Sequence, residues 1–129
     1  MSAHQIVHIE LPATDGSQAS KFYSNVFGWK SQAFLGGEAD YWMFQPETGP
    51  GGGFNPVSDQ GILPTKPGDV LFYIDTDNIE DSLSKIESEG GKSLVLRQEI
   101  PGMGWYAIFT DPTGNRVGLY ENNPAAQTA

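Results

Sequence analysis

Apolar and polar positions along this chain follow a two-residue period in several short stretches and a helical period in two longer ones. Residues 5–11 are rich in β-branched and apolar side chains and end at Pro12, which is typical of a strand. Strands are also predicted at 30–34 and 41–45 around the turn GGEAD, and a fourth follows the glycine run GPGGGF. Between the first two strands, apolar residues at helical spacing predict a helix over 17–27 that buries one face and ends at Gly28: Ala19, Phe22, Tyr23, Val26 and Phe27. The first half is therefore predicted as βαβββ.

The second half repeats this order of elements. A strand is predicted at 70–75, then a helix in DNIEDSLSKIESEGG that Asp77 caps and Gly90 ends, then strands at 93–97, 105–110 and 116–121. The sequences of the two halves align without gaps over their first strand and helix, which matches His8 with Leu71. The Thr-Gly pairs at 48–49 and 113–114 match Gly53 with Gly118. We therefore expect a single domain over 1–129, with a first repeat at about 4–56, a linker at 57–69, a second repeat at 70–121 and a tail at 122–129.

Composition narrows the classes of partner. The formal net charge of -9 repels nucleic acid and anionic membrane surfaces, so neither is an expected partner. The chain has no cysteine, which excludes disulfides and thiolate chemistry, and it has neither a signal-like N-terminus nor an apolar stretch long enough to span a bilayer. A cytoplasmic protein is the expectation.

Two tandem βαβββ repeats, a first strand HIEL and the ending DPTGNRVGLYE resemble the vicinal oxygen chelate superfamily, which contains glyoxalase I, the bleomycin resistance proteins and the extradiol dioxygenases. The resemblance implies an α+β fold in which both units form an eight-stranded, partly open barrel-like sheet around a cleft, with the helices outside. It also implies a homodimer. It does not fix the activity, because this fold hosts several chemistries.

Metal-dependent members of that superfamily take one ligand from the first and one from the last strand of each unit. On this chain the four positions are His8, Gly53, Leu71 and Gly118, so only His8 offers a donor side chain. No metal site and no cofactor are therefore expected. The alternative is a divalent metal held by relocated ligands such as His4, Glu10 or Glu121.

Strand alternation places His8 and Glu10 on one face, opposite Val7 and Ile9. These two residues are the candidates for acid–base chemistry, and His8 is also expected to contact a ligand. The alternative without a function is that His8 is a remnant of the metal-ligand position, with its imidazole hydrogen-bonded to a neighbouring residue or to water. The full set of expected ligand-binding residues is His8, Glu10, Trp42, Phe44, Tyr73, Met103, Trp105, Arg116 and Tyr120.

The favoured function is metal-independent binding of a small aromatic or cationic molecule in an aromatic-lined cleft, as in proteins resembling the bleomycin resistance proteins. Ring-rich strands and the charge of -9 support a ligand of this kind. One alternative is a glyoxalase-like lyase, isomerase or dioxygenase, either metal-dependent or cofactor-free. The other is a non-catalytic interaction module with an exposed apolar patch.

Overall fold

A computed structural model describes residues 3–34, 41–59 and 64–127 of the chain. The chain separates into two compact units: His8–Leu71, called the N-terminal unit, and Met1–Val7 with Phe72–Ala129, called the C-terminal unit. This division assigns the residues before His8 to the C-terminal unit, whereas the repeat pattern alone assigns them to the first repeat. Two hydrogen bonds show why: Asp75 N–H donates to the Gln5 carbonyl (2.8 Å), and His4 Nδ1 donates to the Asp75 carbonyl (3.1 Å).

The N-terminal unit has the predicted βαβββ order. Its elements are β1 (Ile6–Ala13, from His8 onward in this unit), α1 (Gly16–Phe27), β2 (Lys30–Ala33), β3 (Trp42–Gln45) and β4 (Gly51–Pro56). The strands lie in the order β2-β3-β4-β1, with β1 parallel to β4 and the other pairs antiparallel. The predicted GGEAD turn, and positions 60–63 of the predicted linker, lie outside the described residues.

The C-terminal unit repeats the same plan. Its elements are β5 (Leu71–Asp75, from Phe72 onward in this unit), α2 (Ile79–Ser88), β6 (Lys92–Ile100), β7 (Gly104–Thr110) and β8 (Arg116–Asn122), followed by a 3₁₀-helix (Pro124–Gln127). The strands lie in the order β5-β8-β7-β6, and β5 is parallel to β8. The predicted α+β class, with eight strands in two βαβββ units, is confirmed.

Both helices begin at capping side chains. Asp15 caps α1 by accepting from the Gln18 N–H at 3.0 Å, and the helix ends at Gly28 in the left-handed conformation (φ 74°), as predicted. In α2 the cap is Asn78, whose side chain accepts from the Asp81 N–H at 3.0 Å. The prediction of Asp77 as this cap is therefore wrong by one residue, because the two adjacent side chains are both of a capping type.

The apolar face of α1 is only partly buried. Tyr23 stacks on Phe54 with the ring centroids 5.5 Å apart, as the periodicity predicts for an inward residue. Three other residues of the predicted face lie more than half exposed: Phe22 (56%), Val26 (55%) and Phe27 (62%). The prediction that they bury is wrong within this chain, because α1 packs closely through small residues, with Gly16 against the Trp42 ring and Ser20 buried. The interaction-module alternative requires an exposed apolar surface of this kind.

Each unit has its own apolar core. In the N-terminal unit Phe44 lies between Trp29 and Phe54, with centroid distances of 4.6 and 5.0 Å. In the C-terminal unit the buried cluster consists of Ile79, Leu83, Ala107, Phe109, Val117 and Leu119.

Within the ranges that the structure describes, no helix has the length and apolar character to cross a bilayer.

Candidate functional site

Strand β1 carries the two polar side chains that the alternation singled out, and the structure places both on the face expected. His8 lies beside Gly51 and Glu10 beside Gly53 on the parallel neighbour β4. Both side chains are partly buried. Because β4 has glycines at these two positions, the polar groups of β1 lie beside backbone that carries no side chain of its own.

A single hydroxyl group joins His8 to Glu10. Tyr41, which immediately precedes β3, places its hydroxyl oxygen 2.8 Å from His8 Nε2 and donates to Glu10 Oε2 at 3.0 Å. His8, Tyr41 and Glu10 are called the polar triad below. The phenol has one hydroxyl proton, which it donates in the hydrogen bond to Glu10. His8 Nε2 must therefore be the donor in its own hydrogen bond to the phenol oxygen. The imidazole therefore carries a proton on Nε2.

The protonation states of the triad follow from burial and charge. Burial raises the pKa of the Tyr41 hydroxyl far above its usual value, and the charge of Glu10 and the hydrogen bond to it raise it further. Burial lowers the pKa of the His8 imidazole. At neutral pH the triad thus consists of a neutral imidazole, a neutral phenol and the Glu10 side chain. The phenol donates its proton in the hydrogen bond to Glu10.

The glycines of β4 provide the space for this arrangement. A Cβ atom built on Gly53 would overlap the hydroxyl and ring of Tyr41, so the ring lies directly on the Gly53 backbone. The space above Gly53 that the Tyr41 phenol fills is called the seat. The neighbouring glycines have the same role: Gly51 makes room for the Gln45 side chain, and Gly52 for Phe44 on the opposite, core face. The run of three glycines therefore lets the side chains of Tyr41, Phe44 and Gln45 lie against the backbone of β4.

The family's metal positions do not fit a divalent ion here. His8 Nε2 carries a proton and faces the Tyr41 hydroxyl, and the last-strand position Gly53 lies under a tyrosine ring instead of offering a carboxylate. Leu71 and Gly118 also lack donor atoms. In the described part of the chain, no three His, Cys, Asp or Glu side chains form a group that could hold a metal ion. No reaction step is therefore assigned to a metal.

The other predicted site residues of the N-terminal unit have different surroundings. Phe44 is 4% exposed and belongs to the aromatic core, so the structure places it inside the unit and not at an open surface. Trp42 is partly exposed and its ring rests on Gly16 of α1. Neither side chain lies on the strip beside His8 and Glu10, because Trp42 and Phe44 alternate with Tyr41 along the chain.

The C-terminal unit contains a second tyrosine on a glycine. Tyr73 is paired with Gly118, and a Cβ atom on Gly118 would overlap the Tyr73 ring. Tyr73 is 7% exposed, so it is predominantly a packing residue of this unit. In each unit, then, a tyrosine ring covers the glycine at the last-strand ligand position that the resemblance implies.

The segment EIPGMGW forms a hairpin turn fastened to β8. Residues 101–103 join β6 to β7, and Met103 N–H donates to the Ile100 carbonyl at 3.0 Å. The hydroxyl of Tyr120 donates to the Met103 carbonyl at 3.1 Å. Burial, and secondarily the charge of Asp75, raises the pKa of that hydroxyl. Met103 and Tyr120, both predicted as ligand contacts, are thus brought together.

Trp105 and Glu121 take part in a second polar contact of this unit. The Arg97 guanidinium lies 4.0 Å from the centroid of the Trp105 ring and forms two hydrogen bonds to Glu121, of 3.0 and 3.3 Å. Glu121 also accepts from the Ile79 N–H at 2.9 Å, so it is committed to the start of α2. Arg116, at the start of β8, is paired with Thr110 and partly exposed.

Comparison with known proteins identifies the family. The sequence model of the Glyoxalase/Bleomycin resistance protein/Dioxygenase superfamily matches residues 5–119. The chain belongs to this superfamily. The resemblance inferred from the two repeats and the HIEL strand is thereby confirmed.

Individual members of the superfamily show similarity over nearly the whole chain. A glyoxylase-like domain-containing protein of Didymella fabae is 39% identical over 120 residues, covering 86% of this chain and 88% of the relative. The putative glyoxylase CFP32 of Mycobacterium bovis is 31% identical over 127 residues, covering 89% of this chain but only 44% of the relative. The chain therefore spans less than half of that relative's length.

Solved structures share the fold at low sequence identity. Methylmalonyl-CoA epimerase from Mycobacterium tuberculosis superimposes with a TM-score of 0.71 at 10% identity, covering 100% of this chain and 97% of that one. At this identity the similarity concerns the fold alone.

Sequence reasoning on this superfamily member found His8 and Glu10 but missed Tyr41, the residue that joins them. Tyr41 stands beside Trp42 in an aromatic-rich stretch, which predicts packing. The available signal was Gly53 itself, because a glycine inside a strand marks a close approach by another group. The strand register needed to identify that group comes only from the fold.

Proposed function

We propose that this protein is a metal-independent member of its superfamily that binds a small molecule at the polar triad. The observation that supports the proposal most strongly is the Tyr41 hydroxyl between His8 and Glu10, at 2.8 and 3.0 Å. His8 and Glu10 thus place a partly buried donor and a partly buried acceptor side by side along the glycines of β4, which is an arrangement suited to orienting a polar ligand group. Of the four positions that the superfamily uses for metal ligands, His8 alone has a donor side chain, and Gly53, Leu71 and Gly118 have none.

The protonation of the triad favours binding over proton transfer. A general acid or base works best when its pKa lies near the working pH, and the pKa of the Tyr41 hydroxyl is raised far from it. The lowered pKa of His8 keeps the imidazole neutral, so it donates through Nε2 without carrying charge. Together these groups orient and hydrogen-bond a ligand.

The test is a binding screen of the purified protein, with and without chelator treatment. Thermal shift followed by calorimetry against small aromatic, phenolic and cationic compounds should yield a ligand with a Kd below about 1 mM. Chelator treatment should leave that Kd unchanged. Absence of any such ligand, or loss of binding on removal of a stoichiometric metal, would contradict the proposal.

Two histidine variants locate the binding site. His8→Ala removes the donor of the triad and should weaken binding about tenfold or more, because one hydrogen bond to the ligand is lost in a partly buried setting. His4→Ala is the matched control, since His4 is exposed and outside the N-terminal unit. Equal affinities of the His8→Ala and wild-type proteins would place the ligand elsewhere.

A cofactor-free enzyme is the second candidate. The observation that favours it is that one hydroxyl group bridges His8 and Glu10, the two candidates for acid–base chemistry. The names of two relatives, a glyoxylase-like domain-containing protein and a putative glyoxylase, support a glyoxalase-like lyase or isomerase. A 2-oxoaldehyde together with a thiol serves as the pair of probe substrates. With these probe substrates and chelator present, turnover that His8→Ala abolishes and His4→Ala retains would establish this second function. Turnover that disappears with chelator would instead indicate a metal enzyme.

A further inference from the structure

The Tyr41 side chain occupies its seat in the way that a bound phenol would. We propose that the ligand of this protein is an aromatic hydroxyl compound, and that its ring and hydroxyl replace those of Tyr41 above Gly53. This inference rests on the proposed function and adds two things to it. It names the chemical class of the ligand, and it makes Tyr41 the residue that must move aside to admit it.

The hydrogen bonds of the triad define the group that can replace the phenol. Glu10 accepts a proton from that group, while His8 Nε2–H donates to the same oxygen atom. A ligand carbonyl has no proton for Glu10, and an ammonium group has no lone pair for His8. A hydroxyl group satisfies both partners with one atom. A ligand without it would lose either the hydrogen bond to Glu10 or the hydrogen bond from His8, which weakens binding.

The floor of the seat selects an aromatic hydroxyl. The Tyr41 hydroxyl and ring lie directly against the Gly53 backbone, where a single Cβ atom would overlap them. A flat ring fits this close approach, whereas a branched or saturated alcohol needs space on both sides of its carbon skeleton. The absence of a side chain at Gly53 therefore makes room for an aromatic ligand.

The position of Tyr41 makes the exchange feasible. Tyr41, His8 and Glu10 are all partly exposed, so the phenol lies at the surface of its unit. Tyr73, by contrast, is only 7% exposed over Gly118. Of the two tyrosine–glycine pairs, the pair of the N-terminal unit is thus the one that an external molecule can reach.

The first experiment empties the seat. In Tyr41→Ala, p-cresol, which is the tyrosine side chain as a free molecule, should bind at least about tenfold more tightly than toluene, which lacks the hydroxyl. At roughly ten times its Kd, p-cresol should raise the Tm by about 3–6 °C. Wild-type protein, in which p-cresol must first displace the Tyr41 ring, should bind it several-fold more weakly and show a smaller shift. Equal binding of p-cresol and toluene, or binding of neither by folded Tyr41→Ala, would overturn the proposal.

Two further variants keep this experiment decisive. Tyr73→Ala removes the same ring from Gly118 and should show no comparable preference for p-cresol, whereas an equal preference there would contradict the role of the triad. If circular dichroism shows Tyr41→Ala to be unfolded, the titration is repeated on Tyr41→Leu. That variant retains part of the packing and loses the phenol, and the same two outcomes decide.

The second experiment uses any ligand that the binding screen yields. Tyr41→Phe keeps the ring but loses the hydrogen bonds that hold it in the seat, so a phenolic ligand should bind this variant several-fold more tightly than wild type. The methyl ether of the same ligand should bind about tenfold more weakly to both proteins, because it has no proton for Glu10. Weaker binding by Tyr41→Phe would show that Tyr41 contacts the ligand and does not make way for it.

The two proposals fail in different ways. If no compound of any class binds wild-type protein, the proposed function fails, while the p-cresol titration still reports the chemistry of the seat. If ligands bind but are not phenolic, or bind Tyr41→Phe more weakly, the proposed function stands and the inference about the seat is overturned.

Discussion

Gly53 and Tyr41 depend on each other, although they are twelve positions apart in the sequence. The ring needs the bare backbone, and the hydroxyl then reaches both His8 and Glu10. Gly118 and Tyr73 have the same relationship in the C-terminal unit. At both places a residue that looks like a missing ligand in the sequence has a positive structural role, which is to accommodate a tyrosine.

Gly53→Ala tests this dependence through stability. The added methyl group must displace the Tyr41 ring, so we expect a loss of about 1–3 kcal/mol in the free energy of unfolding. In a Tyr41→Ala background the same substitution should cost less than about 1 kcal/mol, because the ring is absent. Urea unfolding of the four proteins measures both values. Equal costs in the two backgrounds would show that the ring and the glycine are not coupled.

The lowered pKa of His8 predicts a pH dependence of stability. Its pKa is lower in the folded protein than in the unfolded chain, so the unfolded chain binds the proton more readily. The contribution to stability is complete above the ordinary histidine pKa of about 6.5 and is lost as pH falls below it. Urea unfolding between pH 7 and pH 5 should show this decline. His8→Gln should flatten it and the control His4→Gln should not; a slope unchanged in His8→Gln would refute the assignment.

At the residue scale, the sequence predicted the face of His8 and Glu10 correctly because strand alternation is a local property. Tyr41 was missed because its role depends on which residue of β4 lies beside β3, and that register is not local. Phe44 was predicted at a ligand surface for a related reason. The sequence shows that Phe44 and Tyr41 lie on different faces of the strand. It does not show which of these two faces packs against the core.

The start of α2 shows how an element can depend on a distant side chain. Asn78 caps the helix, and Glu121, 42 residues from Ile79, accepts the Ile79 N–H at 2.9 Å. Burial opposes the ionised form of Glu121, but the hydrogen bonds from Arg97 and Ile79 outweigh it and lower the pKa of the carboxyl. Glu121 therefore supports the helix and cannot also act as a relocated metal ligand without releasing these partners.

Glu121→Ala should destabilise the C-terminal unit. It leaves the buried Ile79 without an acceptor for its N–H and removes the partner of Arg97, so a loss of about 1.5–3 kcal/mol is expected in urea unfolding. Glu121→Gln keeps an acceptor oxygen for Ile79 and should lose about half as much or less. If the two variants are equally destabilised, the hydrogen bond to α2 contributes nothing and the ion pair accounts for the effect.

At the element scale, the strands and helices follow closely from the hydrophobic pattern. The largest difference is β6, predicted at 93–97 and observed at Lys92–Ile100. Its exposure alternates from Lys92 to Gln98, and two adjacent exposed residues, Gln98 and Glu99, then break the alternation that defines a strand in the sequence. The cap of α2 differs by one residue because Asp77 and Asn78 are chemically interchangeable in that role. The exposure of Phe22, Val26 and Phe27 could not be predicted, since periodicity defines a face but not its partner.

At the scale of the whole molecule, the internal repeat is the strongest signal in the sequence. It identified the superfamily, which the match over residues 5–119 confirms, and it located the four positions where relatives place metal ligands. Two of those positions are glycines that support tyrosine rings, and the remaining donor, His8, is engaged with a phenol. A homodimer, which the resemblance implies, stays a prediction that light scattering can test.

Direct titration of metal into the chelator-treated protein tests the central claim, which is that the polar triad is a binding site without a metal. Calorimetry with Zn²⁺, Ni²⁺, Mn²⁺ and Fe²⁺ should reveal no stoichiometric site tighter than about 100 μM, because His8 Nε2 and Glu10 are bonded to the Tyr41 hydroxyl. One ion per chain bound with a Kd below about 1 μM, and lost in His8→Ala, would contradict the account.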